Sequence, residues 1–151
     1  MKTAQDMDAI SQLTLMVFRL NGQLLAWGDE LVAPLGLTSA RWQTLGAMAM
    51  ADQPLTAPQI AEVMGMTRQG AQKQLNVLLE LGWVAAQANP AHKRSPQYGL
   101  TPQGNERYLG AKTLWEAEVS RLARAVPADE ADQATATLHR LLQLLSLGTP
   151  A

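Results

Sequence analysis

The amino-acid sequence predicts a mainly α-helical protein that carries one small β-hairpin. The first reason is composition: the chain holds 24 Leu and 24 Ala against 7 Val and 2 Ile, and strands favour β-branched and aromatic residues. The second reason is that apolar residues recur at helical spacing in several segments. The third is a pair of short strand-like runs, residues 83–88 and 97–100, around a polar turn. An all-β fold is therefore excluded, and 151 residues predict a single domain over 1–151.

The first predicted element is a long amphipathic helix, for which we expect bounds of 8–34. Its apolar residues alternate in steps of three and four: Ile10, Leu13, Val17, Leu20, Leu24, Trp27 and Leu31. Pro34 and Gly36 end the helix. Such a seam packs against another helix, and the pattern alone leaves open whether that helix belongs to the same chain or to a second copy.

Helix caps set the next elements. Thr38 is a suitable N-cap for a helix that runs to about Ala51. Thr56 and Gln59 form a capping-box pattern that opens a short helix over 57–64.

Gly65 closes this short helix, and Thr67 caps a further helix that ends at Leu81, before Gly82. Two helices joined by a tight turn that contains Gly form the helix-turn-helix pattern, which the hairpin extends to a winged helix over 38–101.

Two further helices are predicted beyond the hairpin. Thr101 caps a helix that has Pro102 at its first position and extends to about Ala125. A final helix covers roughly Asp129 to Ser146, with an apolar stripe of Leu138, Leu141, Leu142 and Leu145.

The helix that begins after Thr67 carries the strongest functional signal. Ala71, Leu75 and Leu78 form an apolar face, and the opposite face carries Arg68, Gln69, Gln72, Lys73 and Asn76. Amide side chains pair with adenine and basic ones with guanine, so this face suits readout of the DNA major groove. By polarity alone, an ordinary solvated helix face is the commoner case.

The turn of the hairpin adds a basic tip, Lys93 and Arg94, which is placed to meet phosphates or a minor groove. The formal net charge of the chain is −1, but residues 57–100 hold four cations against two carboxylates, a net of +2. Residues 1–56 carry −2 and residues 101–151 carry −1. The positive charge therefore lies on the segment that would touch DNA.

Several classes of function find no support in the sequence. The chain has no Cys, and its two histidines, His92 and His139, lie in different predicted elements, so we expect no metal and no cofactor. No nucleophile–base pair or phosphate-binding Gly loop indicates an enzyme. No apolar run reaches the length of a membrane span and no signal peptide is evident, so we expect a cytoplasmic protein.

These motifs, in this order, resemble the MarR family of bacterial transcription regulators. The resemblance covers about residues 37–104 and rests on Leu37-Thr38, Trp42, Leu45, Leu55-Thr56, Ile60-Ala61, Met66-Thr67-Arg68-Gln69, Leu78, Gly82, Asn89-Pro90 to Arg94 and Leu100-Thr101-Pro102-Gln103-Gly104. It implies a homodimer that binds a pseudo-palindromic operator, usually as a repressor, and that a small, often aromatic, ligand releases. It also implies dimerisation helices over 8–34 and 102–147.

On this resemblance Thr67, Arg68, Gln69, Gln72 and Lys73 fall on the recognition helix, and Arg94 falls on the wing arginine. Two positions depart from the family. His92 stands where an acidic residue usually braces that arginine, which implies a less rigid or a pH-sensitive wing. Gly70 stands where a hydroxylated residue is common, which costs helix stability and implies either close backbone approach to DNA or weaker readout.

An effector pocket would lie between the dimer helices and the winged helix. Trp27, Trp42, Met48 and Trp115 are candidates to line it, and ordinary core or dimer packing is the competing interpretation, which we favour for each of them taken individually. The leading hypothesis is a dimeric, sequence-specific DNA-binding repressor with double-stranded DNA and a small-molecule effector as partners. The alternative is a winged-helix protein-interaction module that has lost DNA binding.

Overall fold

The computed structural model describes residues 3–147 and has the predicted mainly helical fold with a small sheet. Its elements, in chain order, are α1 (Ala4–Val32), a 3-10 turn (Ala33–Leu35), α2 (Ser39–Ala49), β1 (Leu55–Thr56), α3 (Ala57–Met64), α4 (Arg68–Glu80), β2 (Val84–Gln87), β3 (Gln97–Leu100), α5 (Pro102–Leu122) and α6 (Ala128–Leu147).

The predicted N-caps are confirmed. The Thr38 side chain accepts from the Arg41 amide at the start of α2. Thr56 and Gln59 form the capping box of α3, with the Thr56 amide donating to Gln59 Oε1 at 2.8 Å. The Thr67 hydroxyl accepts from the Gly70 amide at 2.9 Å and begins α4. These bonds satisfy amides that a helix start leaves unpaired, so they fix where the helix-turn-helix elements begin.

Four helix bounds differ from the prediction by two residues or more, and one of them is the end of α1, which lies at Val32 and not at residue 34. Helix α1 begins at Ala4, earlier than expected, because Thr3 and Asp6 form a capping box among the polar residues that precede the apolar seam. Helix α2 ends at Ala49 and α5 ends at Leu122, each a few residues short of the expected end. Residues after Leu122 continue as turns, with the Ala125 amide donating to the Leu122 carbonyl at 2.9 Å.

The sheet has a third strand that the sequence did not predict. Strand β3 lies between β1 and β2 and is antiparallel to both. In this register Tyr98 pairs with Leu55 on one side and with Ala86 on the other. Strand β1 is only two residues long, too short for an alternating pattern, and it ties the start of α3 to the wing.

The chain divides into two compact units, with the division in α5 between Leu114 and Trp115. The first unit holds the winged helix on a core whose largest side chains are fully buried: Val32, Thr44, Leu45, Ile60, Leu75 and Leu78. The described part of the second unit holds the end of α5 and all of α6.

Helix α1 is joined to α2 by polar contacts inside the first unit. The Ser39 amide donates to Asp29 Oδ1 at 2.6 Å, and the Ser39 hydroxyl donates to the Leu25 carbonyl at 2.7 Å. Gly28 is buried at this crossing, where an added Cβ would overlap the Ser39 hydroxyl. The C-terminal part of α1 is thus fixed to the winged helix.

Candidate nucleic-acid interface

Helix α4 presents two chemically different faces, as its sequence pattern predicts. Ala71, Leu75 and Leu78 are fully buried against the core. The opposite side is polar: Arg68, Gln69, Lys73 and Asn76 are exposed, and Gln72 is half-buried. The apolar face orients the helix, and burial of three aliphatic side chains holds the polar face outward.

The structure brings part of the predicted site together in one groove. A groove of about 330 Å³ runs between α4 and the wing, and it is lined by Ala57, Pro58, Arg68, Gln69, Gln72, Arg94, Ser95, Pro96 and Tyr98. Arg68, Gln69 and Gln72 thus share a concave surface with Arg94, although about 20 residues separate them in sequence. Thr67, Lys73, Asn76 and Lys93 lie outside the lining of this groove.

The groove is electropositive. Of the residues that line it, Arg68 and Arg94 are charged, and both are exposed. Within residues 3–147 neither arginine has an ion pair. Two guanidinium groups without an ion pair, next to amide side chains, suit a nucleic acid, because its phosphates are anionic and its base edges form hydrogen bonds.

Asn89 organises the turn of the wing. Its side-chain amide donates to the Ser95 carbonyl at 2.9 Å, and its Oδ1 accepts from the Ala91 amide at 3.1 Å. The His92 amide donates to the Asn89 carbonyl at 3.2 Å. These bonds shape the turn without the side chain of His92, the position where the family resemblance implied a brace, and they leave Lys93 and Arg94 exposed at the tip.

Gly70 lies in the first turn of α4 and not in its middle. Its amide is bound by the capping hydroxyl of Thr67, and an added Cβ would stand 3.0 Å from that oxygen. The absence of a side chain therefore leaves space around the cap, and the cost of an interior glycine applies less strongly here.

The sequence analysis missed five lining residues of the groove: Ala57, Pro58, Ser95, Pro96 and Tyr98. Tyr98 is only 4% exposed, and its hydroxyl accepts a hydrogen bond from Gln72 Nε2 at 3.3 Å. The available signal was a tyrosine inside a four-residue strand next to the basic turn. Its pairing with α4 depends on sheet register, which the sequence does not reveal.

The candidate pocket residues occupy different environments. Met48 is 7% exposed and belongs to the core, and Trp42 is half-buried against that core. Trp27 and Trp115 are half-buried, and Trp115 lies in the second unit.

A second cleft, of about 310 Å³, lies in the first unit, and none of the four candidate residues lines it. Its lining residues are Asn21, Leu25, Ala40, Gln43, Met64, Gly65, Met66, Thr67, Gly70 and Gln74. The cleft therefore joins α1 and α2 to the start of α4.

A winged helix with a polar recognition helix and a basic wing defines the class of winged-helix transcription regulators. The sequence model of the MarR family matches residues 35–95. An uncharacterized protein of Mycobacterium tuberculosis is 38% identical over 144 residues, which cover 95% of this chain and 99% of the relative. The chain belongs to the MarR family of transcription regulators.

Solved structures of the family share the fold. The Mycobacterium tuberculosis regulator MosR in complex with DNA has a TM-score of 0.71 at 22% identity, covering 87% of this chain and 96% of that one. CouR from Rhodococcus jostii, bound to p-coumaroyl-CoA, has a TM-score of 0.69 at 20% identity, covering 90% and 92%. Among residues 3–147 of the present chain, no helix is both long and apolar enough to cross a membrane.

Proposed function

We propose that this protein is a cytoplasmic transcription repressor that binds a pseudo-palindromic operator as a homodimer. The observation that carries the proposal is the groove in which Arg68, Gln69 and Gln72 of α4 meet Arg94 of the wing. The arginines would bind phosphates and the amide side chains would bind base edges. In protein–DNA interfaces the first kind of contact positions the protein and the second specifies the sequence. The DNA complex of MosR, which shares the fold, supports this choice.

Eight residues form the proposed DNA contact. They are Thr67, Arg68, Gln69, Gln72, Lys73 and Asn76 from the cap and exposed face of α4, together with Lys93 and Arg94 from the wing. Lys73 and Lys93 are exposed and lie outside the lining of the groove. We assign Lys93 of the wing to a phosphate and Lys73 of the polar face of α4 to a base edge.

The exposed apolar surface of α1 supports the homodimer. Ile10, Val17, Leu20 and Leu24 of the predicted seam are 38–49% exposed in the single chain. Large exposed apolar patches mark interaction sites in most proteins. Helix α6 has a comparable stripe, with Leu138, Leu142 and Leu145 at 40–70% exposure. A second copy of the chain would bury both surfaces.

Ligand release is the proposed regulation. The cleft of about 310 Å³ includes Thr67, the N-cap of α4, and the amide side chains of Asn21, Gln43 and Gln74. A small molecule bound there would contact the start of the recognition helix and α1 at once, so it could couple occupancy to the position of that helix. The p-coumaroyl-CoA complex of CouR supports a small-molecule effector.

The test begins with selection of bound duplexes from a random pool, followed by affinity measurements on the selected duplex over a range of salt concentrations. We expect Arg94→Ala to weaken binding to every duplex. The slope of log affinity against log salt should fall by about 1 for each phosphate that a subunit no longer neutralises. Arg124→Ala changes another exposed arginine, which follows α5 and is outside the proposed DNA contact, and it serves as the control.

An unchanged affinity and salt slope in Arg94→Ala would refute the wing contact. Failure of the pool to yield any enriched duplex would refute DNA recognition altogether. It would favour the alternative, a winged-helix protein-interaction module.

A further inference from the structure

Hydrogen bonds among three side chains, Asn76, Gln72 and Tyr98, link α4 to strand β3. The amide nitrogen of Gln72 donates to Asn76 Oδ1 at 2.9 Å, one helical turn further along α4. The same nitrogen donates to the hydroxyl of Tyr98 at 3.3 Å, across 26 residues of sequence. Gln72 is therefore held from its own helix and from β3 together.

The two bonds use the full donor capacity of the Gln72 amide. A glutamine side chain has two N–H donors and one carbonyl oxygen with two lone pairs. Because Asn76 and Tyr98 take both donors, the carbonyl oxygen Oε1 is the group left to meet a ligand in the groove that Gln72 lines. Gln72 thus presents an acceptor and no donor.

Burial and strand pairing hold Tyr98 in one position. Its residue is 4% exposed, and its backbone pairs with Leu55 of β1 and Ala86 of β2. Tyr98 also lines the groove, where its hydroxyl accepts the hydrogen bond from Gln72. A side chain locked by packing can hold a partner within the tolerance that recognition requires.

We propose that Tyr98 is a positioning residue that sets the base preference of Gln72; the inference rests on the proposed DNA-binding function. An unconstrained glutamine pairs with adenine through both its donor and its acceptor. A Gln72 whose donors are occupied offers only Oε1, which accepts from the exocyclic amines of adenine N6 and cytosine N4 in the major groove. Guanine and thymine present acceptors at those places, so on the strand that Gln72 contacts it should accept adenine and cytosine alike and discriminate against guanine and thymine.

The experiment uses the full-length protein and the duplex selected in the pool experiment. Affinity is measured for that duplex and for duplexes with each single base-pair substitution in a half-site. The variants are Tyr98→Phe, which removes only the hydroxyl, and Gln72→Ala, which removes the amide. Tyr108→Phe is the matched control, because Tyr108 is the second of the two tyrosines of the chain and lies in α5, outside the groove.

At one position of the half-site we expect the wild type to prefer A·T and C·G pairs, both to the same degree, over T·A and G·C pairs, with the first base of each pair on the same strand. Tyr98→Phe should lower that preference by about fivefold, because removal of the hydroxyl frees a donor that guanine or thymine can accept. Gln72→Ala should lower the preference at the same position, and Tyr98→Phe should add nothing in the Gln72→Ala background. The salt slope should stay at the wild-type value in all of these variants, since neither side chain is assigned to a phosphate.

A Tyr98→Phe profile that matches Tyr108→Phe at every position would overturn the inference. So would a loss of preference at a position that Gln72→Ala leaves unchanged, or a wild type that strongly prefers adenine to cytosine on the same strand at the position that depends on Gln72. These results leave DNA binding intact and are therefore distinct from failure of the proposed function, in which the wild type selects no duplex. Thermal unfolding of each variant checks that the protein is folded under the conditions of the binding measurements.

Discussion

Gly104 is a residue at which a single methyl group would disturb the joint between the wing and α5. It is buried in the first turn of that helix, and an added Cβ would overlap the carbonyl oxygen of Trp83, whose Cα would lie 3.2 Å away. The Trp83 carbonyl also accepts from the Thr101 amide at 3.1 Å, so it cannot move freely. We expect Gly104→Ala to lower the free energy of unfolding by about 1–3 kcal/mol, measured by urea denaturation.

Gly22→Ala provides the comparison for this prediction. Gly22 also lies within a helix, but an added Cβ there meets nothing within 4 Å in the single chain. Alanine is the better helix former, so this variant should be unchanged or more stable by up to about 1 kcal/mol. Equal stability of the two variants would show that the backbone near Trp83 yields to the methyl group.

The stability of helix α4 depends on its N-cap, Thr67. The Thr67 hydroxyl holds the Gly70 amide at 2.9 Å, and removal of a capping side chain typically costs about 1 kcal/mol. We expect Thr67→Ala to lower the urea midpoint by a corresponding amount with an unchanged m-value. Thr113→Ala is the control, since the Thr113 hydroxyl only bonds the Leu109 carbonyl within α5. Equal effects of the two substitutions would contradict the capping role.

The starts of helices that have a side-chain N-cap were predictable from the sequence. Thr38, Thr56 and Thr67 indicate helix starts because the capping bond forms between residues three apart. Strand β1 was not predictable, since Leu55 and Thr56 become a strand only by pairing with β3. The role of Tyr98 in the groove was not predictable for the same reason, because its contact with Gln72 is created by tertiary packing.

For the whole molecule, exposed leucines on α1 lead to a prediction about the proposed dimer. Leu20 and Leu24 are 49% and 47% exposed on α1, and burial of such side chains against a second copy is the expected driving force. We expect the wild type to sediment as a dimer at micromolar concentration and Leu20→Lys/Leu24→Lys to sediment as a monomer. Leu81→Lys, at a position 44% exposed at the end of α4, should stay dimeric. A monomeric wild type would contradict the dimer.

The charge distribution leads to the last prediction. The winged segment carries a net charge of only +2 within a chain of −1, so a single subunit has few cations with which to release counterions from DNA. Two subunits would present this segment twice, to half-sites about 34 Å apart. Scrambling one half-site of the selected duplex should therefore weaken wild-type binding by more than about tenfold, because the second subunit no longer finds its specific bases. For the Leu20→Lys/Leu24→Lys variant the intact and half-scrambled duplexes should differ by only about twofold, the statistical factor for two sites against one. A wild-type protein that bound both duplexes equally would show that one subunit suffices for recognition.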